Sequence, residues 1–290
     1  MADIIWVSVI FIRFDNSMCR SFNRILLYTN HNRGHKDFYK PIKLKTMNAK
    51  FGKLAPKKSY KTLLFKNYVE PALAPPPAIF DILTKVKAET GYSIEKLFPM
   101  DGNDRYGCCT IAAQAHCVTI YNGMIGLRKV WSVDDVTGVY FELTGGPGID
   151  TGLNELDVLN YWRKRSKDKI LGFASVDVHN INHIKQAISL FGGVYIGFQV
   201  PDNCMQEFDA HQPWTPGKLT MDGHAVYVTS YDDKGVTVLT WGTTQLATWD
   251  WWNECVDEAY AILPVQATNP NFVPGLNLVQ LYADINALAA

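Results

Sequence analysis

The stretch Asp101-Gly-Asn-Asp-Arg-Tyr-Gly-Cys-Cys-Thr-Ile-Ala-Ala-Gln-Ala-His116 runs from a small, polar loop into an alanine-rich segment, with two thiols at the junction. The start of a helix carries unpaired N–H groups and partial positive charge, and both stabilise a thiolate placed there. Far downstream, Met221-Asp-Gly-His-Ala-Val-Tyr-Val-Thr-Ser230 puts His224 at the opening of a strand-like run. A cysteine at a helix start and a histidine on a strand are the pair that thiol-dependent hydrolysis uses: the thiolate attacks and the imidazole moves the proton. Taken singly, Cys109 reads as a small buried residue and His224 as a core or turn histidine. His116 and Cys117 beside Cys108 and Cys109 suggest a metal site. Positions 109 and 116, however, lie two helical turns apart, roughly 10 Å, too far for ligands that sit about 2.0–2.3 Å from one zinc ion. No metal and no cofactor is expected.

The elements that must position this pair follow from patterning. Ile79–Glu89 has apolar residues at helical spacing, and a second helix is expected from Cys109 to about Tyr121, closed by Asn122-Gly123. Ser132-Val-Asp-Asp reads as an N-cap opening a helix to about Glu142. Asn154–Lys164 and Asn182–Leu190 repeat the helical pattern, while Lys169–Val176 and Val194–Val200 read as strands. From His224 the pattern changes: His224–Tyr231, Val236–Trp241 and Tyr260–Val265 read as successive antiparallel strands, the first pair joined by the turn Asp232-Asp-Lys-Gly. Helices first and sheet afterwards predict an α+β fold, with a helical layer packed on a C-terminal antiparallel sheet.

The order of these motifs resembles the papain-like cysteine peptidase superfamily over about Phe98 to Leu263, and in particular its small bacterial and phage members. The resemblance rests on Cys109 at a helix start, on Asp222-Gly-His-Ala-Val-Tyr227, and on Leu239-Thr-Trp-Gly242. It implies Cys109 as nucleophile, His224 as base and Asn103, six residues before Cys109, as the oxyanion-hole side chain. Trp241 would shield the histidine. Where that family has an asparagine to orient the histidine, the register places Leu239; Thr240, given a shift or bulge, and Asp222, on the same strand face, are the candidates left. Tyr106 stands where the family carries a disulfide cysteine.

The 28 basic and 28 acidic residues balance, which argues against nucleic acid or an anionic membrane as the main partner. The six cysteines form no disulfide framework, so a reducing, cytoplasmic setting is expected. Residues 1–78 read as an N-terminal arm, lysine-rich between 33 and 66 and proline-rich at 71–77; 79–266 as the papain-like domain; 267–290 as a tail. The apolar run Ile4–Ile12 is too short to span a bilayer, for which about 20 residues are needed, and lacks the flanks of a signal peptide. Met47 reads as a natural start, with 1–46 upstream of it. The expected function is a thiol-dependent hydrolase of peptide or isopeptide amides, taking a peptide or protein substrate. The alternatives are a weakly catalytic or inactive binding or structural protein of the same fold and a cell-wall amidase.

Overall fold

The computed structural model of the chain describes residues 47–59, 61–71, 73–164, 168–265 and 277–289. Asn48–Ala290 form one compact unit. The apolar run 4–12, Cys19 and the basic residues before 47 lie outside the described residues.

Helices dominate the first half. The short strands β1 (Leu63–Leu64) and β2 (Phe80–Asp81) are followed by α1 (Ile82–Thr90), α2 (Ile94–Leu97), α3 (Cys109–Gly123), α4 (Val133–Thr144) and α5 (Glu155–Lys164). Local signals set their ends. Asp81 accepts the N–H groups of Leu83 and Thr84 to open α1, and Ser132 forms a capping box with Asp135 to open α4. Gly91 and Gly145 close the same two helices in the left-handed conformation.

The second half comprises β3 (Ile170–Ser175), α6 (Ile181–Phe191), β4 (Val194–Pro201), α7 (Cys204–Asp209), β5 (Leu219–Tyr231), β6 (Gly235–Thr240), β7 (Thr243–Thr248), α8 (Trp249–Cys255), β8 (Val256–Pro264) and α9 (Leu278–Ala289). The strands form one sheet in the order β1-β3-β8-β4-β5-β6-β7, with β2 also on β5. All pairings are antiparallel except β1 with β3. The architecture is therefore α+β, with N-terminal helices packed on a largely antiparallel C-terminal sheet.

Every residue of α3 is buried. A helix enclosed on all sides occupies an interior rather than a surface, and α3 is sealed to the sheet by tyrosines. The Tyr195 hydroxyl donates to the Thr110 carbonyl at 3.0 Å, and the Tyr121 hydroxyl to that of Ile262 at 2.9 Å. Several short elements escape the sequence patterning, α2 and α7 among them. β7 is a polar strand, and α8, opened by the Thr248 cap, is only seven residues long, too short to show helical periodicity. Its Trp251 and Trp252 are buried.

Candidate active site

The loop before α3 is tightly built. Asp101 and Gly102 adopt φ of 56° and 80°, and the Asn103 N–H returns to the Met100 carbonyl at 3.0 Å. Cys108 is the N-cap of α3 and makes no side-chain cap, so Cys109 is the first helical residue, at the positive end of the helix. Beneath the loop, the buried Asp101 carboxylate lies 3.1 Å from His116 Nε2. Burial holds that carboxyl above its ordinary range even though His116 opposes the shift. The Cys108 thiol points inward, 3.5 Å from the Asp101 carbonyl.

His224 enters from β5. Tyr227 pairs with Leu239 across β5 and β6, so these two share a face, the one packed in the core around α3. Alternation then puts His224 and Thr240 together on the opposite face. The Thr240 hydroxyl lies 2.8 Å from His224 Nε2. Leu239, in the register of the orienting asparagine, thus points away. Asp222 is exposed, with its amide donating to the Thr220 hydroxyl, and no hydrogen bond or ion pair joins its carboxylate to His224 among the described residues. The Trp241 ring stacks on the imidazole at 4.5 Å, with 22° between planes, and its Nε1 donates to Asn103 Oδ1 at 3.0 Å. Asn103, Trp241, His224 and Thr240 therefore form one connected group.

A segment of the chain lies across this group. The Asn103 side-chain amide donates to the Lys50 carbonyl at 3.0 Å and to that of Tyr106 at 2.9 Å. The Phe51 ring meets His224 edge-on, with centroids 5.6 Å apart. Gly52 then passes so close to Gly107 that a Cβ on it would stand 1.8 Å from the Gly107 carbonyl oxygen. Its N–H, with that of Ala225, points at the Cys109 sulfur. The strand-like pairing continues with Lys53 N–H to the Gly223 carbonyl at 3.0 Å, Leu153 N–H to that of Gly52 at 2.8 Å and Leu54 N–H to that of Leu153 at 2.9 Å.

Burial decides the electrostatics, and the segment contributes to it with Trp241 and Phe198. Cys109 and His224 are each 1% exposed. Burial pushes the Cys109 thiol up to about 11, against the lowering effect of the two amides. Burial, reinforced by His116, pushes His224 down to about 3. Both groups are neutral near pH 7, not the thiolate–imidazolium pair of a reactive site. His224 Nδ1 makes no hydrogen bond among the described residues.

No protein-family model and no curated protein sequence matches the chain. Solved structures do. Xylellain, a cysteine protease from Xylella fastidiosa, superposes with a TM-score of 0.58 at 15% identity, covering 76% of this chain and 98% of that one. Procathepsin B from Trypanosoma congolense does so with a TM-score of 0.50 at 12% identity, covering 77% and 89%. The fold is papain-like.

Within this papain-like fold the sequence pattern singled out Cys109, Asn103 and His224 as candidates but not the segment that lies across them. Lys53 falls in the basic stretch read as a solvated arm, yet its side chain is 1% exposed and lies within 3.2 Å of Asp257 and Glu258. Glu155, an acid in the first turn of α5 and so outwardly a solvated helix start, is fully buried. Composition carries no signal for either, because their burial depends on contacts distant in sequence. Among the described residues, no helix is long and apolar enough to cross a membrane.

Proposed function

We propose that the protein is a thiol-dependent hydrolase of peptide or isopeptide amides, described here in a self-covered state. Cys109 is the nucleophile, His224 the base, and Asn103 with the Cys109 N–H the oxyanion donors. The observation that carries this reading is the path of residues 50–54. A main chain is held beside Cys109 by backbone pairing to Leu153 and Gly223, and a carbonyl already occupies the Asn103 amide. Once the segment leaves, one Asn103 N–H is free for a substrate carbonyl. Thr240 holds Nε2, so Nδ1 is the nitrogen left to take the Cys109 proton. The thiolate then adds to the amide carbonyl, and the oxyanion is met by preorganised donors, each worth about 3 kcal/mol of barrier. The imidazolium protonates the departing amine, and water attacking the thioester restores the thiol. Trp241 shields the imidazole throughout.

The test uses the full chain carrying Gly52→Ala, in which the clash with Gly107 displaces the segment. Hydrolysis of a fluorescent casein and covalent labelling by an epoxide at Cys109 are expected. Both should disappear when Cys109→Ala is added, and hydrolysis should fall by at least about 100-fold with His224→Ala. Hydrolysis that survives Cys109→Ala would remove the assignment. The second reading, a binding protein on the same fold, is favoured by the absence of a Cys109–His224 hydrogen bond. It predicts no labelling preference for Cys109 over Cys255 even after displacement.

A further inference from the structure

The side chain of Lys53 descends beside the cysteine into a pocket that the rest of the fold builds without it. Asp257 Oδ1 and Oδ2 each lie 2.9 Å from Lys53 Nζ, and Glu258 Oε1 lies 3.2 Å away. Glu258 is itself held by the Tyr260 hydroxyl at 2.9 Å. The buried carboxylate of Glu155 faces the same point, and neither of its oxygens has a hydrogen-bond partner among the described residues. The pocket floor is Gly197: a Cβ there would stand 1.9 Å from Lys53 Cε and 2.7 Å from Glu155 Oε1, so only glycine leaves room for the stem. Three carboxylates thus surround one ammonium, one from α5 and two from β8, over a floor from β4, while the lysine arrives on the covering segment. Buried acids this close resist ionisation: burial holds Glu155 and Glu258 above the usual carboxylate range, against the pull of Lys53. A compact ammonium on a narrow stem matches this lining better than a planar guanidinium would.

We infer that the pocket of Glu155, Asp257 and Glu258 is a recognition site for a lysine side chain of the peptide substrate, filled here by the chain's own Lys53. The inference rests on the proposed hydrolase reading and deepens it. Backbone pairing to Leu153 and Gly223 accepts any sequence; the side-chain pocket supplies the selection. The side chain sits one residue from Gly52, whose N–H meets the Cys109 sulfur, so a substrate lysine would enter beside the reacting bond.

The test needs no turnover. Full chain carrying Lys53→Met, with the pocket cation removed, is mixed with a capped peptide of residues 48–55 or with the same peptide bearing norleucine at the Lys53 position. Protection of Cys109 from iodoacetamide is then read by mass spectrometry. The lysine peptide is expected to protect at a concentration at least tenfold lower, and added Glu258→Gln should shrink that gap. Equal protection by both peptides, or protection by neither, overturns the proposal. A second variant guards against misfolding: Asp257→Asn in the otherwise native chain should loosen the segment and speed Cys109 alkylation severalfold, and an unchanged rate also counts against the pocket. Lysine-selective protection without cleavage in any variant would leave the pocket standing and remove the hydrolase. Cleavage indifferent to lysine would do the reverse.

Discussion

His224 has two ring nitrogens in different surroundings, and the proposed chemistry depends on which one carries the proton. Nε2 lies 2.8 Å from the Thr240 hydroxyl, whereas Nδ1 has no hydrogen-bond partner among the described residues. If Nε2–H donates to Thr240, the lone pair is left on Nδ1, where a base for Cys109 is needed. A hydroxyl can both donate and accept, so it fixes the tautomer less firmly than a side chain that only accepts. Thr240→Val keeps the shape and removes the oxygen. It is expected to lower kcat/KM for peptide hydrolysis by about tenfold, less than the roughly 100-fold or more that positioned proton transfer itself contributes, because His224 stays in place. Thr240→Ser should restore most of the loss. Equal rates for the valine and serine variants, measured on displaced-segment protein, would show that the hydroxyl does not orient His224.

At the scale of elements, the hairpin between β6 and β7 matters most, because it carries both Thr240 and Trp241. Its two-residue turn, Trp241-Gly242, has φ of 46° and 80°, the doubly left-handed geometry that matches the twist of paired strands. Trp241 accepts this unfavourable backbone while stacking on His224 and bonding Asn103. At Gly242 the nearest atom to a built Cβ is 3.6 Å away, so a side chain there meets conformational strain rather than a clash. Gly242→Ala is expected to cost about 1 kcal/mol in urea unfolding, and Gly242→Asn clearly less, since asparagine tolerates this region. Much of this framework was legible in the sequence. The Ser132 cap gave the start of α4, whereas apolar spacing gave α1 but began it at Ile79, before the Asp81 cap and over the residues of β2; the thiol at a helix start and the histidine on a strand were visible as residue types. Thr240 was visible only as an alternative to Leu239, because strand alternation and the register shift in β5 between Val228 and Ser230 decide which β6 residue faces His224. The covering segment was not legible. Residues 50–54 have no periodicity of their own, and Asn103, Gly107, Leu153 and Gly223 set their path.

For the molecule as a whole, covering the site stores a pH dependence in its stability. His224 ionises in the unfolded chain near its ordinary value of 6.5 but in the native state only near 3. A depressed histidine leaves native stability intact above pH 6.5 and withdraws it as pH falls toward 3, because the unfolded chain then binds a proton the native state refuses. Cys109 has the opposite sense: its native value of about 11 lies above the ordinary 9, so its contribution is lost only in alkali, as pH rises through that range. Glu155 and Glu258, whose carboxyls burial holds up, bind protons more readily in the native state and so oppose His224 on the acid side. The wild-type curve alone therefore mixes two signs, and the comparison that isolates His224 is a difference between proteins. Between pH 7 and pH 5 the wild type should lose stability relative to His224→Gln by about 2 kcal/mol, from about 1.4 kcal/mol per pH unit below 6.5. Urea unfolding of both proteins at the two pH values measures it. Parallel curves would mean that His224 is solvated in the native protein and that the segment does not cover it in solution. Since Phe51 of the cover packs on the imidazole, Gly52→Ala should shrink the same difference by letting water and the proton reach His224 before the domain unfolds.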